Sequence, residues 1–239
     1  MAAFHIPEHV HESSGPHGGT VLLDARTGQW YAMNGTARAL WSEWRESGDF
    51  DAGVRTVAAR FPAALGERVR IDAGQLAETL LQRGLVSTAP SSDGSEPSPR
   101  RRAERRAGRG FSAVPRHDRS GATAALVVAL CLLRLPFGVT VRVVATLTSR
   151  CPRPATHAQA ERALAAVRRV ARRYPGRAAC LELSLAATVR LALAGVGAQW
   201  CLGSADDPYR FHAWIEAEGR PVTSPSEGEL TGFRKVLSV

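Results

Sequence analysis

The sequence predicts an α+β protein built from two units joined by a tether, and three observations lead there. Two short apolar runs around a turn precede three helix-like segments within residues 18–88. Residues 89–120 lose apolar periodicity altogether, with Ser and Pro dominating up to Pro99 and Arg afterwards. Residues 121–239 pass from helical spacing into short alternating segments, the order expected when helices pack on an antiparallel sheet. At 239 residues, the chain is long enough for each unit to bury a core.

In the first unit, residues 1–17 read as an N-terminal tail. TVLLD (20–24) and QWYAM (29–33) read as strands around the turn at 25–28. A helix follows, with Thr36 as its cap and Ala37, Leu40, Trp41 and Trp44 recurring at helical spacing. Asp51 is expected to cap a second helix bearing Val54, Val57 and Phe61. Asp72 caps a third with Leu76, Leu80 and Leu81 turned inward, and Gly84 ends it before Leu85 and Val86 leave as an extended tail. Trp30, Trp41 and Trp44 read as core aromatics.

The tether, 89–120, has too little apolar surface to offset the entropy of ordering it and reads as a solvated Ser/Pro/Arg-rich linker. Its arginines are an alternative electrostatic handle. The whole chain has 31 basic and 22 acidic side chains, for a charge of +9. Residues 87–120 hold eight arginines against four acids, which leaves +4 of that excess in one stretch. A nucleic-acid reading is weak for the first unit, because its third helix offers only Arg83 against Asp72 and Glu78 where phosphate recognition needs several cations.

The second unit opens with an apolar helix at 122–133, followed by Pro136 and an extended stretch at 139–146. Thr156 caps an amphipathic helix with Ala160, Leu164, Val167, Val170 and Tyr174 on one face and arginines on the others. The segment 179–194 carries Leu181, Leu185, Val189 and Leu193 at helical intervals, with Gly195 as its stop. Strands are expected at 197–203 and 211–216, and 217–219 turns into a third.

Cys180 therefore sits in the first turn of a helix. Unpaired N–H groups and the helix dipole favour negative charge there, which favours the thiolate. If the strands pack beside that helix, His212 reaches Cys180, and a thiol–imidazole pair beside backbone donors suits acyl transfer from an amide. Cys201, amid apolar strand residues, Cys131, inside an apolar helix, and Cys151, before a proline, are weaker candidates. The four cysteines have neither CxxC nor Cys/His ligand spacing, so zinc and a disulfide framework are not expected. The N-terminus lacks a signal-peptide pattern, and the apolar run at 122–133 falls short of the roughly 20 residues of a membrane span. A cytoplasmic protein with reduced thiols and no stable membrane insertion is expected.

Two resemblances sharpen this reading. The passage MNGTARALW after a short strand resembles the PqqD-like leader-peptide recognition element, a winged-helix-like domain. The resemblance implies that a leader peptide adds as an extra strand to the hairpin edge, at Trp30, Tyr31, Ala32 and Met33, facing Leu76, Leu80 and Arg83 on the third helix. From residue 121 onward, AxCLxxSLA followed by HAWIExxGRPV resembles the transglutaminase-like (papain-like) cysteine peptidases that remove leaders from lasso peptides. The combination resembles the lasso peptide biosynthesis B proteins.

That likeness implies Cys180 as nucleophile, His212 as base and acid, and an acid on the next strand to orient the imidazole. Ser224 stands at the acid position. Glu227 is the favoured substitute, with Glu229 nearby, while Glu216 shares the histidine's strand face but lies too far along it to contact the ring directly. A hydroxyl or backbone carbonyl is a further alternative. The likeness also implies a lasso precursor as substrate and an asparagine-synthetase-like macrolactam cyclase as partner. No cofactor is expected in the chain itself, although ATP dependence of the maturation step fits the resemblance. A non-catalytic leader-binding adaptor, a winged-helix nucleic-acid-binding regulator and a transferase acting on glutamine side chains are the competing readings.

Overall fold

The computed structural model describes residues 4–15, 19–88, 118–205, 209–223, 230 and 232–239. Its first unit begins with a strand where a tail was expected. β1 (Val10–Ser14) pairs antiparallel with β2 (Thr20–Asp24), and β2 with β3 (Gln29–Met33), giving the sheet order β1-β2-β3. The polar run VHESS carries little strand propensity of its own. It is held by the ladder to β2 and by Glu12, whose carboxylate accepts from Trp41 Nε1 at 2.9 Å and from Arg45.

Three helices follow, each starting earlier than the sequence suggests. α1 (Gly35–Ser47) is capped by Asn34, which accepts the Ala37 N–H at 2.9 Å, rather than by Thr36. α2 (Phe50–Ala58) is capped by Asp49 rather than Asp51. α3 (Gly66–Gln82) grows out of a single 3₁₀ turn at Ala63–Leu65, so it needs no side-chain cap, and Asp72 lies exposed within it. Val69, Ala73, Ala77 and Leu80 face the core, whereas Leu81, expected inward, is 37 % exposed. Trp41 and Trp44 form the centre of that core as expected. Gly53 makes room for Trp44, since a Cβ there would stand 2.6 Å from the indole.

The second unit runs α4 (Asp118–Leu132), α5 (Phe137–Ser149), β4 (Arg153–Pro154), α6 (His157–Ala171), α7 (Cys180–Leu193), β5 (Val196–Gly197), β6 (Gln199–Ala205), β7 (Arg210–Ala217), β8 (Arg220–Val222) and β9 (Arg234–Ser238). β4 and β5 form a short parallel pair, and the other four make an antiparallel sheet in the order β8-β7-β6-β9. Residues 139–146 are helical, not extended. The β-branched residues that favoured a strand lie along α5, where Thr140 and Val144 are buried and the Thr140 hydroxyl donates to the Leu132 carbonyl at 2.7 Å. Packing thus overrides a propensity difference of only a few tenths of a kcal/mol per residue.

Thr156 caps α6 as expected, with Gln159 completing a reciprocal capping box. α7 is the central helix, packed by α4 and α6 and lying against β7. Ser184 through Val189 are all buried, while Leu193, assigned to the apolar face, is 68 % exposed at the helix end. A helix covered on most sides has no single apolar stripe to read.

The two units share one body. β2 is buried along its whole length because Leu22 faces α1–α3 while Leu23 joins the core of the second unit. Trp30 on β3 stacks on Phe211 of β7 with centroids 4.7 Å apart. The Gly138 N–H donates to the Arg26 carbonyl at 2.9 Å, and Arg234 donates to the Ser13 hydroxyl at 3.3 Å.

Candidate active site

Cys180 is the first residue of α7, half-buried, and packs against the second unit's core. Its helix starts on Ala179, whose N–H donates to the Glu182 carboxylate at 2.9 Å. A carboxylate in the first turn fits the helix dipole, and the N–H groups of that turn have no intrahelical acceptors. Ser184, one turn on, is structural: its hydroxyl donates to the Leu181 carbonyl and accepts from Trp200 Nε1 at 2.9 Å.

His212 lies near the start of β7, the strand against which α7 packs, and is half-buried opposite Gly203. Strand alternation sorts β7 into two rows. Ala213, Ile215 and Ala217 belong to the core shared with α7. His212, Trp214 and Glu216 form the other row. Among the described residues β8 pairs β7 from Ile215 to Ala217.

The expected orienting groups Ser224, Glu227 and Glu229 lie outside the described residues. Glu216 is already engaged, accepting from Trp214 Nε1 at 3.0 Å and from the Lys235 ammonium, an ion pair that raises the lysine's pKa. The other thiols are poorly suited to attack. Burial, reinforced by the Glu216 charge, pushes the Cys201 thiol up to about 12. Burial also raises Cys151, whose thiol donates to the Leu147 carbonyl. Cys131 lies within α4, as expected, and is exposed.

In the first unit, β3 is an edge strand among the described residues, pairing there with β2 alone. Arg83 at the end of α3 places its guanidinium 5.0 Å from the centre of the Tyr31 ring, so those two expected contacts are brought together. Leu76 is half-buried beside the same core, and Ala32 is exposed. Met33 and Leu80 are only 5 % and 3 % exposed and belong to the core, and Trp30 packs on the second unit. What β3 offers to a partner is therefore its backbone edge with Tyr31 and Ala32. Among the described residues no cluster of three or more His, Cys, Asp or Glu is placed to hold a metal, and no helix is long and apolar enough to cross a membrane.

Residues 122–238 match the family model of the transglutaminase-like superfamily, and residues 19–86 match that of coenzyme PQQ synthesis protein D (PqqD). The chain is thus a PqqD-type domain followed by a transglutaminase-like domain. That pairing matches the lasso peptide biosynthesis B protein that the motifs MNGTARALW and HAWIE suggest. No curated protein and no solved structure gave a match.

Sequence reasoning overlooked Trp214 and Lys235. The alternation in FHAWIE places Trp214 on the histidine's row and was a usable signal. Lys235 arrives from β9, and no local pattern ties it to Glu216.

Proposed function

We propose that this protein is a leader peptidase of lasso peptide maturation, with Cys180 as nucleophile and His212 as its base and acid. The observation that carries this reading is the shared body of the two domains. The edge strand suited to a peptide, β3, stacks its Trp30 on Phe211, the neighbour of His212. A leader held at β3 is thereby delivered to the transglutaminase-like domain, which makes cleavage an intramolecular encounter at high effective concentration.

In this mechanism, which requires the start of α7 and the outer row of β7 to meet at the sheet edge when the peptide is bound, His212 takes the Cys180 proton and the thiolate attacks the carbonyl at the leader–core junction. The backbone N–H groups at the start of α7 stabilise the oxyanion. Collapse breaks the C–N bond as His212 protonates the departing amine, leaving a thioester that water hydrolyses with His212 as base. Glu227 is the proposed orienting acid. The freed N-terminus passes to a macrolactam-forming cyclase, and the cleavage step uses that cyclase or ATP.

A second reading, a leader-binding adaptor without cleavage, is favoured by one observation: Ser224 stands where the family places its acid. Mass spectrometry of a precursor peptide incubated with the full-length protein, cyclase and ATP separates the two. One cut at the leader–core junction by wild type, and none by Cys180→Ala, is the expected result. Equal inactivity of both proteins, with the peptide still bound, establishes the adaptor.

A further inference from the structure

The row that carries His212 contains a set of side chains that hold one another and that the mechanism above leaves unused. The Trp214 indole lies nearly parallel to the imidazole, at 13°, with ring centroids 6.3 Å apart. Phe233 forms a second wall 5.4 Å away at 49°, itself covered by the Arg210 guanidinium at 5.3 Å. The imidazole thus stands in an aromatic slot.

The indole is itself fixed from two sides. Its Nε1–H donates to Glu216 Oε1 at 3.0 Å, and Lys235 from β9 donates to the other oxygen of the same carboxylate. Its six-membered ring lies over Gly203, where a Cβ would meet Trp214 Cη2 at 2.6 Å. Gly203 is the ladder partner of His212, so the missing side chain across from the histidine is what admits the indole beside it. Glu216 keeps only 12 % of its side chain exposed, while Lys235, 39 % exposed, reaches it from the surface.

We propose that Trp214, held by Glu216 and Lys235, is the positioning residue that fixes the ring plane of His212. The inference rests on reading His212 as the base of the cleavage reaction. A general base works only within hydrogen-bond reach of the proton it moves, and small misplacements of such a group are costly to rate. Trp214 touches neither thiol nor peptide in this scheme. It acts by denying the imidazole other orientations.

The test uses full-length Glu216→Ala, Lys235→Ala, Lys235→Arg and Trp214→Phe, each checked for a wild-type thermal transition. With precursor, cyclase and ATP, Glu216→Ala and Trp214→Phe lower kcat about tenfold while KM stays within about twofold, the signature of lost orientation rather than lost binding. Lys235→Ala has a smaller effect in the same direction, and Lys235→Arg restores activity. Relaxation of the ¹³C-labelled His212 ring reads the same property without catalysis. It is rigid in wild type and mobile in Glu216→Ala and Trp214→Phe. A ring equally rigid in folded variants, or a loosened ring with wild-type kcat, overturns the proposal. If wild type fails to cleave yet the ring still loosens in the variants, the peptidase reading falls and the positioning of His212 by Trp214 stands.

Discussion

The three-stranded and the four-stranded sheet of this molecule expose different features. The three-stranded sheet is covered on both faces, by α1–α3 on one side and by the second domain on the other, so its outward feature is the β3 edge. The four-stranded sheet packs one face on α7 and sets His212, Trp214, Glu216 and Lys235 on the other side of the ladder. A backbone edge recognises an extended peptide with modest demands on its side chains. A row of side chains acts only if each residue is the right one. In the proposed function, one sheet holds the substrate and the other acts on it.

The largest effect should come from removing the chemistry while keeping the edge. Cys180→Ala lowers cleavage by more than about 1,000-fold, while fluorescence anisotropy of a labelled leader shows wild-type affinity. Loss of leader binding in that variant would mean that the two sheets do not divide the work.

Next comes the seam between them. Trp30→Ala removes the stack on Phe211 and destabilises the fold by roughly 2–3 kcal/mol, somewhat below the value for a fully buried aromatic because the ring is half-exposed. Denaturant unfolding should then lose its single transition, since the first unit keeps its own core around Trp41 and Trp44. An unchanged midpoint would show that the domains stay together without this contact.

A smaller effect tests the edge itself. Arg83→Ala removes the cation over Tyr31 and weakens leader binding about two- to fivefold, the ~0.5–1 kcal/mol of an exposed cation–π contact. Cleavage at saturating peptide should not change. A fall in kcat instead would place Arg83 with the acting sheet.

The smallest effect is on pH stability. The folded Cys201 thiol is held near 12, above its ordinary value of 9.0, so between those limits the unfolded chain has lost a proton that the folded one keeps. Its contribution to stability is complete below about pH 9 and is lost progressively as pH rises toward about 12. Thermal melts of Cys201→Ala should therefore decline less steeply over that window than those of wild type. Parallel curves would show that the buried thiol is not the source of alkaline lability.

Much of the local structure was legible from the chain. The Thr156 cap, the Gly84 and Gly195 stops, the hairpin at 20–33 and Cys180 at a helix start are all decided by residues a few positions apart. Local signals failed where packing outweighed propensity, as at α5, where a β-branched run is helical, and at β1, where a polar run is a strand. They also failed for Leu81 and Leu193, whose exposure depends on how far the neighbouring layer extends.

Motif spacing and periodicity, properties of nearby residues, were enough to read the two-domain order, the candidate nucleophile and histidine, and the strand that could present an edge. Long-range packing alone brings the domains into one core through Leu23 and Trp30, buries Met33 and Leu80, and carries Lys235 from β9 to Glu216 while Trp214 stacks beside His212. Those relations join residues far apart in the chain, and burial and ion pairing at such distances follow from how the layers close upon one another, not from local pattern.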